Sequence, residues 1–389
     1  MQRAVSRRRC DAVVRWALAA SALSLGNSPL QAQSASLVYR LGNDTVAVEQ
    51  FTRTARALTG DMVQRSGAAV VRYHYELTLG TNGQPTAARI QRQTPAGAPA
   101  PAPSETRFLL FADSVVREVV YADSVQRRVF AARQALINFP TFIYGPTELL
   151  AQRAKMGGAD SLPAVGLAGA LGYTGLTALG GDSVRLRGRA YAMVLRFDAQ
   201  QRLQSLDGSG TTNKAIATRG GSLDFASRAA AMSPTGTLSL RETARAAFGP
   251  GGMVLVDYGR PQVRGRSVWG GTLVPFDSVW RTGANDATHL FTTRTLTLEG
   301  LVLVPGMYTL WVQHTRTGTW LIVNGQTGQW GTQYAAARDL GRVPLTLEPT
   351  ASFVETFTMQ VRSDGPARGS LELSWGDRMA RLPFTVSAR

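Results

Sequence analysis

The stretch Trp280-Arg281-Thr282-Gly283-Ala284-Asn285-Asp286 concentrates side-chain types that recognise polar ligands. Arg281 is a planar fork of donors, Asn285 both donates and accepts, and Asp286 accepts. His289 follows, and Trp330 and Tyr334 come later in Gln329-Trp330-Gly331-Thr332-Gln333-Tyr334. Arg281, Asn285, Asp286, His289, Trp330 and Tyr334 are therefore the candidate ligand-binding residues. A groove floored by the two aromatic rings, with Arg281 and Asn285 pointing into it, has the composition used to recognise sugars or peptides. The competing reading is architectural. Trp280 plugs a core, Gly283 supplies a turn residue tolerant of positive φ, Asn285 and Asp286 bond loop backbone, and Arg281 pairs with Asp286 or Glu299.

Motifs of known enzymes are missing. The chain has no G-x-S-x-G elbow, S-x-x-K, H-E-x-x-H or P-loop. Its three histidines are His74, His289 and His314. His74 sits between Tyr73 and Tyr75 in a strand-like run and reads as structural. His289 and His314, completed by Asp286, would make a metal site only if their strands place them side by side; strand histidines facing solvent are the simpler reading. No catalytic residue, metal or cofactor is assigned. The rival function is a periplasmic hydrolase or carbohydrate-active enzyme using Asp286, Glu299 or His289 as acid and base, which needs two carboxylates about 5–10 Å apart in one cleft.

The elements around these residues read as strands. Asp-Ser/Thr-Val recurs at Asp44, Asp113, Asp123, Asp182 and Asp277. Asp and Ser or Thr favour turns and Val favours strands, so each occurrence predicts a turn entering a strand. Val70 to Leu79 is strand-like and is followed by the hairpin signal Asn82-Gly83. Pro95 to Pro103 predicts an extended surface loop. Glu148 to Met156 predicts a short helix, Arg189 to Phe197 a strand, and Asp224 to Met232 a helix; Gly166 to Gly181 shows no clear period. Residues 33–235 are expected to form a β-rich N-terminal domain, a curved antiparallel sheet with a few short helices. Ser239-Leu240-Arg241-Glu242 has the form of a capping box, which predicts a helical connector over residues 236–250. Beyond it, Phe353, Phe357, Met359 and Val361 share one parity. Leu371, Leu373 and Trp375 alternate with polar neighbours, as do Leu382, Phe384 and Val386. That period of two predicts a C-terminal antiparallel β-sandwich over residues 251–389, so the fold class is mainly β.

Arg3, Arg7, Arg8, Arg9 and Arg15 precede the short apolar run Trp16 to Leu25, and Leu30-Gln31-Ala32 ends in a small residue. This pattern predicts a signal peptide over residues 1–32, cleaved near Ala32, and a periplasmic or secreted protein. The only cysteine, Cys10, falls inside that segment, so the mature chain would lack disulfides and thiolate ligands. No later run is long and apolar enough to span a bilayer. Removing the five arginines and one acid of residues 1–32 lowers the net charge from +16 to +12. Lys155 and Lys214 are the only lysines. No basic run interleaves with aromatics, so nucleic acid is not expected as a partner; arginines spread over strand faces account for the charge.

The C-terminal third resembles domain of unknown function 2911, a family of secreted bacterial proteins. The resemblance covers about residues 251–389. It rests on Arg260-Pro261, Val263-Arg264-Gly265-Arg266, Gly271-Thr272-Leu273-Val274-Pro275, Val279-Trp280-Arg281-Thr282-Gly283-Ala284-Asn285 and Pro305-Gly306-Met307-Tyr308-Thr309-Leu310. It continues through Trp320, Asn324, Gln329-Trp330-Gly331 and Leu371-Glu372-Leu373-Ser374-Trp375. Asp286 stands where members usually have Glu, and Gly376 where they often have an acid. The resemblance implies a fold and a secreted location and carries no activity. The expected function is that of an exported, non-enzymatic binding module for a glycan, lipid or protein ligand of the envelope.

Overall fold

The computed structural model describes residues 33–150, 161–188, 191–211, 213–236 and 238–388. The signal segment, the end of the helix expected over Glu148 to Met156, and Arg189 and Ala190 of the expected strand lie outside them. The protein is mainly β, 58% strand and 4% helix.

Residues 33–220 supply one fifteen-stranded sheet. Gln33–Leu41 pairs antiparallel with Asp44–Arg53 on one side and with Ile216–Gly220 on the other, and hairpins extend the sheet both ways. One edge is Val125–Ala131; the other is Leu136–Asn138, which runs parallel to Ser161–Gly166. The five Asp-Ser/Thr-Val turns all lead into strands, and the unassigned Gly166 to Gly181 stretch contains Leu171–Ala178. The sheet curls until its ends meet. From one end, Arg117 donates to the Leu167 carbonyl and Arg128 to that of Gly169 (3.3 Å), both in a turn near the other. Side chain-to-backbone bonds close this gap where no strand ladder does.

Inside the curl runs the segment 132–150. It carries Phe142, Ile143 and Leu149 into a core with Tyr39, Tyr75, Phe108 and Leu195. Two buried acids hold it. Glu49 accepts from the hydroxyls of Tyr39 (2.5 Å) and Tyr75 (2.6 Å) and from the backbone N–H groups of Tyr144 and Gly145 (both 3.0 Å). Glu148 accepts from Arg219 (2.6 Å) and the N–H of Leu203 (2.9 Å). A side chain at Gly145 would collide with Phe51 and Tyr75, so the close approach of this turn requires glycine.

Residues 241–386 form two facing sheets, one of seven strands and one of four. The core between them includes Val256, Leu310, Val312 and Leu321 from the larger sheet and Phe357, Leu373, Leu382 and Phe384 from the smaller. The alternation expected for Leu371 to Trp375 and Leu382 to Val386 holds. Phe353, expected to share the buried parity, is 61% exposed because the pairing slips between Pro349, Val354 and Thr358. A slip of register moves a residue to the opposite face.

The helical connector is not observed. Phe225–Ala230 is helical, with Asp224 capping the Ser227 N–H at 3.0 Å. Arg241–Ala247, by contrast, is a strand paired antiparallel with Met253–Gly259. Ser239 has φ 58°, in the left-handed region, whereas an N-cap residue is extended. Ala244, Ala246 and Phe248, spaced by two, pack on the sandwich core, and that periodicity overrides the local helix signal.

Candidate functional site

The 280–286 loop is fixed first by Trp280. Its ring stacks on Trp375 (5.3 Å, 19°) and meets Phe357 (5.1 Å) and Trp269 (6.2 Å) edge to face. Two glycine contacts then clamp the loop. A Cβ on Gly259 would strike the Ala284 carbonyl, and one on Gly331 would strike the Arg281 side chain and the Asn285 carbonyl. The Gly331 N–H donates to that carbonyl at 2.9 Å. Gly283 was expected to supply positive φ, but Thr282 (φ 50°) and Asn285 (φ 62°) do so instead. Gly283 is needed because a side chain there would meet Thr288 and the Gly259 carbonyl.

The six candidate residues do not converge. Arg281 and Asn285 line a cleft of about 340 Å³ between the curled sheet and the sandwich. Asp286 forms a β-bridge with Trp330 outside that cleft. Tyr334 lies on the outer face of the seven-stranded sheet, against Trp311 (5.0 Å), and its hydroxyl donates to Asp339 at 2.5 Å. Trp330 and Tyr334 therefore do not floor a groove for Arg281 and Asn285. The expected pairing of Arg281 with Asp286 or Glu299 is also absent among the described residues. Arg281 is buried, and among the described residues its side chain makes one hydrogen bond, from Nε to the Gly283 carbonyl at 3.4 Å. Glu299 sits at φ 43° in the turn between Leu296–Leu298 and Leu301–Leu303 of the smaller sheet, whereas Asp286 leads into Thr288–Thr292 of the larger.

The histidines are also separated. Thr288–Thr292 and Gly306–His314 do pair, but in a register that sets His289 opposite Thr309. His314 instead stacks on Phe276 at 5.0 Å. His289 Nε2 accepts the Gly328 N–H at 2.9 Å, so its proton resides on Nδ1. Arg241, at 3.3 Å from Nδ1, then faces a donor and repels it. Burial, followed by that guanidinium, holds the imidazole below its usual pKa. Among the described residues no group of three or more His, Cys, Asp or Glu is placed to hold a metal.

Sequence reasoning missed the cleft's most distinctive feature. Arg65, Lys214, Arg264, Arg266 and Arg281 line it, and among the described residues no Asp or Glu does. Arg264 pairs with Asp44. The others bond backbone carbonyls: Lys214 those of Ser209 (3.3 Å) and Thr272 (3.5 Å), Arg266 those of Val263 (2.9 Å) and Gln262 (2.7 Å), Arg65 those of Ser233 (2.8 Å) and Thr45 (3.4 Å). Burial, reinforced by Arg281 and Arg266, pushes the Lys214 ammonium down to about 8, while burial lowers Arg281 and Arg266 to about 10. The only sequence signal was Val263-Arg264-Gly265-Arg266, and its partners are remote in the chain. The turn that carries it packs on the Gly42–Asp44 hairpin, where Asn43 N–H donates to the Arg264 carbonyl at 3.0 Å.

A second space lies within the curled sheet. It is a cavity of about 970 Å³ walled by Leu77, Ile137, Leu149, Leu186, Met193 and Leu206 among others, with amides such as Asn82, Gln84 and Gln134 also on its lining.

These features define a two-part, mainly β protein with an apolar cavity in one part and a cation-lined cleft beside it. Residues 239–384 match the family model described as Protein of unknown function (DUF2911), as the sequence motifs led us to expect. No curated protein matches. Among solved structures, the chain is similar to a beta-barrel-like protein of domain of unknown function DUF1849 from Brucella abortus. The match has 12% identity, covers 49% of this chain and 94% of that chain, and has a TM-score of 0.31.

Proposed function

We propose that this is an exported envelope protein that binds a lipid by its acyl chain in the cavity of the curled sheet. The observation that carries this reading is the cavity itself, whose size and apolar walls suit a flexible hydrocarbon. Each methylene moved from water into such walls contributes about 0.8 kcal/mol. The segment 132–150 supports the reading, because its backbone bonds to Glu49 and the bonds of its own Glu148 to Arg219 and Leu203 hold one wall in place. Among the described residues no helix is long and apolar enough to cross a membrane.

The test uses protein purified from the envelope fraction and the neutral fluorophore N-phenylnaphthylamine. Fluorescence should rise on binding and fall as monopalmitoylglycerol displaces the probe. Met193→Trp, which puts a larger ring into the cavity wall, should weaken monopalmitoylglycerol by about tenfold with little change in the melting curve. Uptake that is absent, or indifferent to Met193→Trp, defeats the proposal.

Export is proposed on the basic region and apolar run of residues 1–32. Cleavage after Ala32 would leave Gln33, which pairs with Arg53, at the new N-terminus. N-terminal sequencing of the envelope protein should therefore begin at or near Gln33; an intact Met1 would refute this.

A further inference from the structure

Thr141, Phe142 and Asn213 line both the apolar cavity and the cationic cleft, so the two spaces share a wall. Phe142, at its centre, is held at φ 70°, a conformation that a bulky side chain adopts only when its surroundings enforce it. On one side of this wall lies room for a hydrocarbon chain. On the other, Lys214, Arg266 and Arg281 converge with no acid partner among the described residues. The nearest acids are already engaged: Asp44 with Arg264, Glu355 with the Arg264 N–H at 2.8 Å, and Asp207 with the Ser209 N–H at 2.9 Å. Carbonyl oxygens satisfy donors but carry no net charge, and attraction to Asp207, Glu355 and Asp44 offsets the positive charge only in part. Partly buried like charges repel, so an anion entering the cleft would relieve that repulsion and gain charge-assisted hydrogen bonds. Two guanidinium forks and an ammonium match the several oxygens and double charge of a phosphate monoester.

We propose that the ligand is a phosphorylated amphiphile, its phosphate held by Lys214, Arg266 and Arg281 in the cleft and its acyl chain in the cavity beyond Phe142. The inference rests on the reading of the cavity as an acyl site and adds to it the class of headgroup. Asn213, Gln262 and Asn285, also on the cleft lining, are placed to bond a polar linker between chain and phosphate.

The experiment compares three probes: palmitoyl lysophosphatidic acid, monopalmitoylglycerol and glycerol phosphate. The first two compete with N-phenylnaphthylamine, and the third is followed by calorimetry. The phosphorylated lipid should bind about tenfold more tightly than the neutral one, the increment expected of a charge-assisted contact. Lys214→Gln and Arg266→Gln should each remove most of that advantage and leave monopalmitoylglycerol unchanged, whereas Lys214→Arg should retain it. If either variant fails to fold, the other provides the test. If the two lipids bind equally well, the headgroup assignment is overturned and the acyl site stands. Glycerol phosphate binding as tightly as the phosphorylated lipid would identify a free-anion site and overturn the joining of head to chain. If neither lipid displaces the fluorophore, the acyl reading fails, and the inference with it.

Discussion

Trp280→Ala lowers the stability of the sandwich by roughly 3–5 kcal/mol, the range for truncating a buried Trp. Trp280 is 6% exposed and touches three aromatic rings, Phe357 and Trp375 of the facing sheet and Trp269 of a connecting loop. Alanine leaves a void bordered by Trp375 and Phe357, which belong to paired strands and are poorly placed to collapse inward. For a unit of this size the loss corresponds to a fall of roughly 10 °C in melting temperature. Arg281→Ala, one residue away, should cost about 1 kcal/mol or less. It gives up one long hydrogen bond to a carbonyl and a contact with Gly331, and no acid is stranded by its removal. It also removes a charge that repels Lys214. Calorimetric melts of the two variants separate these outcomes; equal losses would show that Arg281 is as much a part of the fold as Trp280.

The same variant has an electrostatic signature. Lys214 titrates at about 8 in the folded protein against an ordinary value of 10.5. The unfolded chain therefore holds the extra proton between those values, and stability rises with pH across that window. Removing Arg281 should move Lys214 upward and narrow the window. With only two lysines in the chain, NMR of reductively methylated protein resolves the titration directly.

How much was legible in the sequence followed from how local each signal was. The Asp-Ser/Thr-Val turns and the alternation of Leu371 to Trp375 are local, and both reappear in the fold. Ser239 to Glu242 was also local, yet it misled, because pairing with Met253–Gly259 and burial of Ala244, Ala246 and Phe248 outweigh a capping box. In the central motif, Trp280 was readable as a core plug. The job of Gly283 was not, since it depends on how closely Gly259 approaches. Arg281 and Asn285 were singled out, but their neighbours in space were not. Lys214 and Arg266 reach Arg281 only because the hairpin at Gly42–Asp44 seats the curled sheet against the turn at Arg264. A mean positive charge cannot report such clustering; the fold creates it. The apolar cavity was equally hidden, because an inward-facing strand residue looks the same in sequence whether it meets another side chain or empty space.

Glu49→Ala should release the segment that walls the cavity. Glu49 is fully buried and takes two phenol hydroxyls and two backbone N–H groups, and alanine satisfies none of them. A buried donor left without a partner costs about 1–3 kcal/mol, so the loss is about 4 kcal/mol or more, a large share of a typical stability of about 5–15 kcal/mol. Relief from burying a carboxylate offsets part of this. Burial raises its pKa, and the four donors pull it back only part of the way. The sign follows. Because the folded pKa lies above the ordinary 4.5, the contribution of this group to stability is full below 4.5 and declines as pH rises through the elevated folded value. Glu49→Gln keeps one acceptor oxygen, cannot ionise and loses that pH dependence, and its amide N–H groups face donors, so its melting point should fall between those of wild type and Glu49→Ala. Hydrogen exchange over residues 139–150 should accelerate in Glu49→Ala before the sandwich is affected, and binding of N-phenylnaphthylamine should weaken with it. Unchanged protection of Tyr144 and Gly145 in that variant would show that the surrounding apolar packing, and not Glu49, holds the wall.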